Sequence, residues 1–177
     1  MLTATYSIIA LKVEQNRARW TFSSLQQTIL NGLRNLRQAG GIDLDALLGR
    51  LTQFEQYCHR RKMEVIVIPT LRRFTHEVDA LLDEIEALGR ASMALLRSLR
   101  EKLQGALGHG SAMLDDIVAS LEQCCAQFHR RLAAEEALVQ VAERVIPGEA
   151  WFGIAASFLS EDEKTLKHKE RLLDEEE

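Results

Sequence analysis

The chain has 177 residues, 46% of them hydrophobic, with 22 Lys+Arg against 26 Asp+Glu for a net charge of −4. That length suits one ordinary domain, and no apolar run approaches the roughly 20 residues of a membrane span. Residues 160–177 hold eight acids and four bases, so the tail carries the whole −4 and the body balances at 18 against 18. A neutral body argues against a nucleic-acid binder and against a polybasic membrane-surface protein.

Helix one is expected over about Thr3 to Ala39, with Ile8, Leu11, Phe22, Leu25, Ile29, Leu33 and Leu36 as its apolar stripe. The patch Ile8 to Leu11 has polar flanks and no cleavage-like site, so a secretory signal is not expected. Gly40-Gly41 marks a loop. Helix two is expected from an Asp43 cap to about Phe74, through Leu44, Leu47, Leu51, Phe54, Cys58, Val65, Ile68 and Leu71. The strand-like run from Glu64 to Ile68 falls inside this pattern and reads as helix, and Pro69 should kink it. Helix three follows from Thr75 with Val78, Leu81, Leu82, Ile85, Leu88, Leu95, Leu96, Leu99 and Leu103. Gly108 and Gly110 mark the next loop. Helix four starts at Ser111 and carries Leu114, Ile117, Leu121, Cys124, Phe128, Leu138, Ala142 and Val145.

Pro147-Gly148 breaks that helix. A short amphipathic helix follows, in which Trp151, Phe152 and Phe158 should cap one end of the core. The expected fold is all-α: an antiparallel up-down-up-down four-helix bundle over residues 1–158 with a short C-terminal helix. Residues 159–177 read as an acidic, flexible tail. Three cysteines, two of them adjacent at Cys124 and Cys125, make a poor disulfide framework and suit a reducing cytoplasm.

Each apolar stripe has a polar gap. Helix one passes through Gln15 and Arg19, and helix two through Arg61 or Lys62. Helix three passes through Gly89 and Ser92, and helix four through Arg131 and Glu135. Measured from the loops at about 1.5 Å per residue, the gaps fall at one height. Three readings stay open for this layer. The arginines snorkel to solvent, or they form a buried ion-pair network, or the layer holds a ligand.

The stretch from Tyr57 to Arg73, Tyr57-Cys-His-Arg-Arg-Lys-Met-Glu-Val-Ile-Val-Ile-Pro-Thr-Leu-Arg-Arg, resembles helix two of bacterial hemerythrin-like (HHE cation-binding) domains. The run from Phe128 to Arg144 looks like helix four of that family, and Val145 to Ile154 is similar to its closing segment. The resemblance covers about residues 5 to 158. It implies an antiparallel four-helix bundle with a non-haem di-iron centre, held by histidines from the four helices and by two Glu, each one turn after a His. Residues i and i+4 share a helix face, so such a His and Glu can grip one metal pair. In this chain His59 stands in the helix-two His position, with Met63 at the Glu position. The other ligand positions hold Gln15 (Asn16 if the register slips), Gly89, Arg130 and Ala134, with His129 and Glu135 each one residue off. The resemblance therefore implies a member that has lost most of its iron ligands.

The candidate metal residues are His59, His129 and Glu135, with Glu64 and Glu136 nearby in sequence pattern. Cys125 with His129, and Cys58 with His59 and Met63, form a soft-ligand alternative for zinc, copper or haem, against the reading of these cysteines as core. A redox thiol pair would need exposure and a lowered pKa. Trp20 lies off the strict stripe, as either an interaction face or ordinary packing. No Ser/His/Asp set or phosphate loop is visible, so no catalytic residue is assigned. The expected function is a regulatory or protein-interaction module without a cofactor. Its partner is another protein or a second copy, not nucleic acid or membrane. The alternative is a metal-, haem- or oxygen-responsive protein with a rearranged site around His59.

Overall fold

The computed structural model describes residues 2–39, 44–105 and 111–174. The glycine loops and the Asp43 cap lie outside the described residues. The described residues are helical throughout apart from short connections, with no strand among them. The helices are α1 (Leu2–Ala39), α2 (Leu44–Arg60), α3 (Ile68–Phe74), α4 (Asp79–Gly105), α5 (Ser111–Val145) and α6 (Gly148–Asp174). α1 packs against α2, α5 and α6, and α4 packs against α2 and α5.

Helix two is not one kinked helix. α2 ends at Arg60, and a wide π-turn, Met63–Val67, leads into α3. Pro69 sits in the first turn of α3, where a missing N–H costs least. Its consequence lies upstream, because Pro69 cannot donate to Val65. The chain answers with a wider loop of hydrogen bonding, in which the Ile68 N–H reaches Met63 O. At the far end, the Thr75 Oγ1 accepts from the Glu77 N–H at 3.0 Å and shapes the turn into α4.

The closing helix is not short. α6 runs on to Asp174 and takes in most of the residues that composition assigns to a separate tail. Trp151, Ile154, Ala155 and Phe158 are buried, at the i, i+3, i+4, i+7 spacing of one helix face. Phe152 is off that face by one residue and is 52% exposed, so it does not cap the core. Lys62 ties α6 to the π-turn region, with its Nζ 2.8 Å from Asp162 and 5.1 Å from the Phe158 ring centroid.

The core is in two parts. One apolar cluster gathers Phe22, Leu51, Phe54, Cys58, Leu121 and Phe128 with their neighbours, including three mutually packed phenylalanines. The other gathers Leu11, Met63, Leu71, Leu82, Leu138, Trp151 and Phe158. Gln15 lies between Leu11 of one cluster and Ala18 of the other, Arg61 between Cys58 and Met63, and Gly89 between Ile85 and Leu96, while on α5 Arg131 and Glu135 flank the change from Leu132 to Ala134. The corrected placement of α6 gives a simple contrast. Trp151→Ala should lower the unfolding free energy by about 3–5 kcal/mol, whereas Phe152→Ala should change it by less than about 0.5 kcal/mol. Urea titration followed by circular dichroism checks both.

Candidate functional site

Between the two apolar clusters lies a layer of buried charge. Gln15, Glu55, Arg61, Ser92, Arg131 and Glu135 are all buried, and Arg61 and Arg131 are each only 1% exposed. The arginines do not snorkel. Three carboxylates converge on the Arg131 guanidinium: Glu55 on Nη1 at 2.9 Å, Glu64 on Nη2 at 2.6 Å, and Glu135 on Nε at 3.2 Å. Arg61 donates through Nη1 to the other oxygen of Glu135 and through Nη2 to Gln15 Oε1. Gln15 in turn donates to the Leu132 carbonyl at 2.8 Å. The layer thus draws on α1, α2, the π-turn and α5, and Gly89 of α4 faces it.

Of the charged residues that periodicity aims inward, Arg19 is a correction. It is exposed and pairs with Glu136 at 2.6 Å, while its neighbour Ala18 is buried. The spacing Leu11, Gln15, Ala18, Phe22 is the true inward row. For helix two the inward residue is Arg61, and Lys62 turns outward to Asp162. Glu55 is the buried residue that the sequence pattern did not single out. Its signal was the spacing Leu51, Glu55, Cys58, which places a carboxylate on the apolar face.

The candidate metal residues do not converge. His59 has a half-exposed side chain and its Nε2 lies 3.0 Å from Glu55 Oε1. Glu135 is bound by both arginines. His129 stands apart from that network, on an exposed position with Nε2 2.8 Å from Gln26 Oε1 and its ring edge-on to Phe22. Arg130, at the expected helix-four ligand position, pairs on the surface with Glu84 at 2.7 Å. No group of three or more His, Cys, Asp or Glu side chains with metal-site geometry exists among the described residues. The implied di-iron group does not fit this donor set. Two fixed guanidiniums occupy the layer, and their charges already neutralise the carboxylates that a metal ion would need.

The electrostatics follow from burial. Desolvation raises the Glu55 pKa above 4.5, against the pull of Arg131 and His59. For Arg131, burial works against the charge, but the surrounding negative groups outweigh it and hold the pKa above the usual arginine value. Arg61 behaves alike through Glu135. Arg131 thus keeps its proton, while burial moves the Glu55 carboxyl toward its neutral form. Burial also pushes the Cys58 and Cys124 thiols up to about 12 and Cys125 to about 11. All three are buried and free. They lack the exposure and the lowered pKa of a redox thiol or of a ready thiolate ligand.

A cleft of about 530 Å³ opens over the layer, with His59, Glu64, Gly89 and Arg131 among its walls. No family model matches the chain, and neither a curated protein nor a solved structure matches it.

Two outcomes follow from the charge layer. Arg131→Met takes the buried guanidinium from Glu55 and Glu135, leaving them only His59 and Arg61, and should cost about 3–5 kcal/mol, whereas Arg130→Met should cost less than about 1 kcal/mol. Chemical denaturation of the two variants reads the difference. The second outcome concerns pH. A buried carboxyl with a raised pKa contributes stability that is full below its unfolded value, 4.5 for Glu55, and is lost as pH rises through the folded value. Glu55→Gln should therefore remove a fall in stability that the unaltered chain shows as pH rises above about 4.5. Melting temperatures across pH 4 to 8 measure it, and parallel curves for the two proteins would contradict it.

Proposed function

We propose that this chain is a hemerythrin-like bundle in which a buried arginine–carboxylate network stands in place of a di-iron centre, and that it works as a non-catalytic regulatory or protein-interaction module. The observation that carries this reading is Arg131, with three carboxylates around one buried guanidinium. A cluster of carboxylates around a central cation is the electrostatic plan of a metal site, and here the cation is covalently part of the chain.

The bundle geometry of this proposal is antiparallel and up-down-up-down, and the pattern of cross-helix pairs supports it. Between α1 and α5 the partners run in opposite directions: Lys12 with Glu143, Arg19 with Glu136, Gln26 with His129. Between α4 and α5 they also run in opposite directions, from Glu84 with Arg130 to Lys102 with Asp116. From Glu55 with Arg131 to Arg61 with Glu135, helix two and α5 run the same way. These are the senses of a four-helix up-down arrangement.

The interaction role is supported by α1. Tyr6, Ile9, Val13 and Trp20 are exposed, Trp20 by 75%. At about 100° per residue they share the face opposite the buried row Leu11, Ala18 and Phe22. An apolar stripe that its own fold leaves uncovered suits a protein partner. No helix among the described residues is long and apolar enough to cross a membrane. A cytoplasmic setting keeps the three buried cysteines as thiols.

Elemental analysis and an absorption spectrum of freshly purified protein test the reading. The expected result is iron well below one per chain and no visible band, before and after incubation with ferrous iron. About two irons per chain, as a di-iron bundle holds, would sink the proposal and favour the alternative of a metal- or oxygen-responsive site around His59.

A further inference from the structure

The outer face of α1 is patterned as well as apolar. Tyr6, Ile9, Val13, Asn16 and Trp20 follow one another at spacings of three, four, three and four, and all five are exposed. That is the spacing of the a and d positions in a coiled-coil seam. The buried row Leu11, Gln15, Ala18 and Phe22 repeats at threes and fours on the opposite face. α1 therefore carries two seams, and its own bundle covers only one. Single exposed apolar residues need no partner, but a seam roughly 22 Å long is a contiguous surface.

The rim of the outer seam decides what fits it. Lys12 and Arg19 border it on the α5 side, and each is already paired there, with Glu143 and Glu136. The rim thus offers no row of unmatched charge to a strongly acidic or basic helix, and a second copy brings the same balanced rim. A second copy also brings the matching polar group. When two such seams run antiparallel with Ile9 of each against Val13 of the other, Asn16 of each falls against Tyr6 of the other. The amide and the phenol hydroxyl each donate and accept, so the polar position is paired rather than stranded. Run parallel, the seams would set Lys12 beside Arg17 of the other copy, base against base. The antiparallel sense keeps those two apart, and the two Lys12 nearest the axis are each neutralised by a Glu143. The area is enough for a weak dimer. Tyr6, Ile9, Val13 and Trp20 are about half to three-quarters exposed, on the order of 400–500 Å² of side chain. Two copies bury about twice that, at the lower end of specific interfaces.

We propose that two copies of this chain form a two-fold symmetric dimer through the outer seams of their α1 helices, packed antiparallel with Ile9 against Val13 and Tyr6 against Asn16. The inference rests on the interaction-module reading and names a second copy as its partner. The contact is isologous, so the same patch serves both copies and the assembly closes at two.

Sedimentation equilibrium of the full chain, from about 1 μM to about 1 mM, tests this. The expected result is a monomer–dimer equilibrium with a Kd of about 10–100 μM. Val13→Glu sets a carboxylate at the middle of each seam and should weaken the dimer by at least about tenfold with Tm unchanged. Met93→Glu, an exposed apolar position on α4, should leave the dimer as it is. Mild oxidation reads the direction. A mixture of Tyr6→Cys and Asn16→Cys proteins should form a disulfide-linked pair far faster than either protein alone, and the native cysteines are buried. A chain that stays monomeric to about 1 mM overturns the proposal and assigns the seam to a foreign protein, while the iron content tests the interaction-module reading separately. A dimer that Val13→Glu leaves intact also overturns it, as does Tyr6→Cys linking to itself faster than to Asn16→Cys.

Discussion

The structure depends on keeping one guanidinium, that of Arg131, out of water. Removing a charge from water costs several kcal/mol unless opposite charge and hydrogen bonds replace the lost solvation. The replacement comes from three different segments: Glu55 of α2, Glu64 of the π-turn and Glu135 of α5 itself. Glu135 then recruits Arg61, and Arg61 recruits Gln15 of α1. A one-residue slip of any helix would turn its member of this set to the wrong face. The network therefore fixes the register of helices whose apolar stripes alone would tolerate sliding.

The π-turn belongs to the same constraint. A regular helix through residues 60–68 would keep each side chain at its ordinary angle, and Pro69 would leave the Val65 carbonyl without a donor. The wider turn absorbs both problems. Ile68 donates to Met63 rather than to the residue four before it, while Glu64 and Val65 both donate back to Arg61. In that geometry Arg61 and Met63 are buried, Glu64 reaches Arg131, and Val65 faces solvent. Proline at the start of α3 and buried charge in the layer are thus two ends of one local rearrangement. Wide turns of this kind recur at functional sites for the same reason, since they re-aim side chains without ending the helix.

Much of this was legible in the sequence. Apolar stripes at spacings of three and four gave the helices, and interruptions in those stripes pointed to one layer made of Gln15 and Arg19, Arg61 or Lys62, Gly89 and Ser92, and Arg131 and Glu135. Glu55 was less legible because it lies inside an otherwise regular apolar row, flanked by Phe54 and Cys58, where a lone carboxylate reads as a surface residue. Arg19 was misplaced because Ala18 is a weak marker of burial; the small side chain hides which of two neighbours points inward. The length of α6 was hidden by its charge. Composition alone cannot distinguish a solvated tail from a helix with a buried face upstream and salt links such as Lys62 with Asp162 and Glu161 with Lys164. The π-turn was marked only by Pro69, and a proline announces a disturbance without saying how the backbone resolves it.

The chemistry of the layer also explains why its features belong together. A buried ion-pair network is usually no more stabilising than a well-packed apolar layer of similar volume. A glycine inside a helix is less stabilising than alanine. Here both choices fall at the same height of the core, Gly89 against Arg131 and Glu55, while the layers above and below follow the ordinary rules of apolar packing. A sequence shaped for stability alone would have filled this layer with leucine and alanine. Local departures that all lower stability at one place, beside a cleft and a half-exposed histidine, are what selection for function leaves behind. The two guanidiniums and the carboxylates around them thus set the charge balance of the layer right beside that cleft, where several segments of the chain meet.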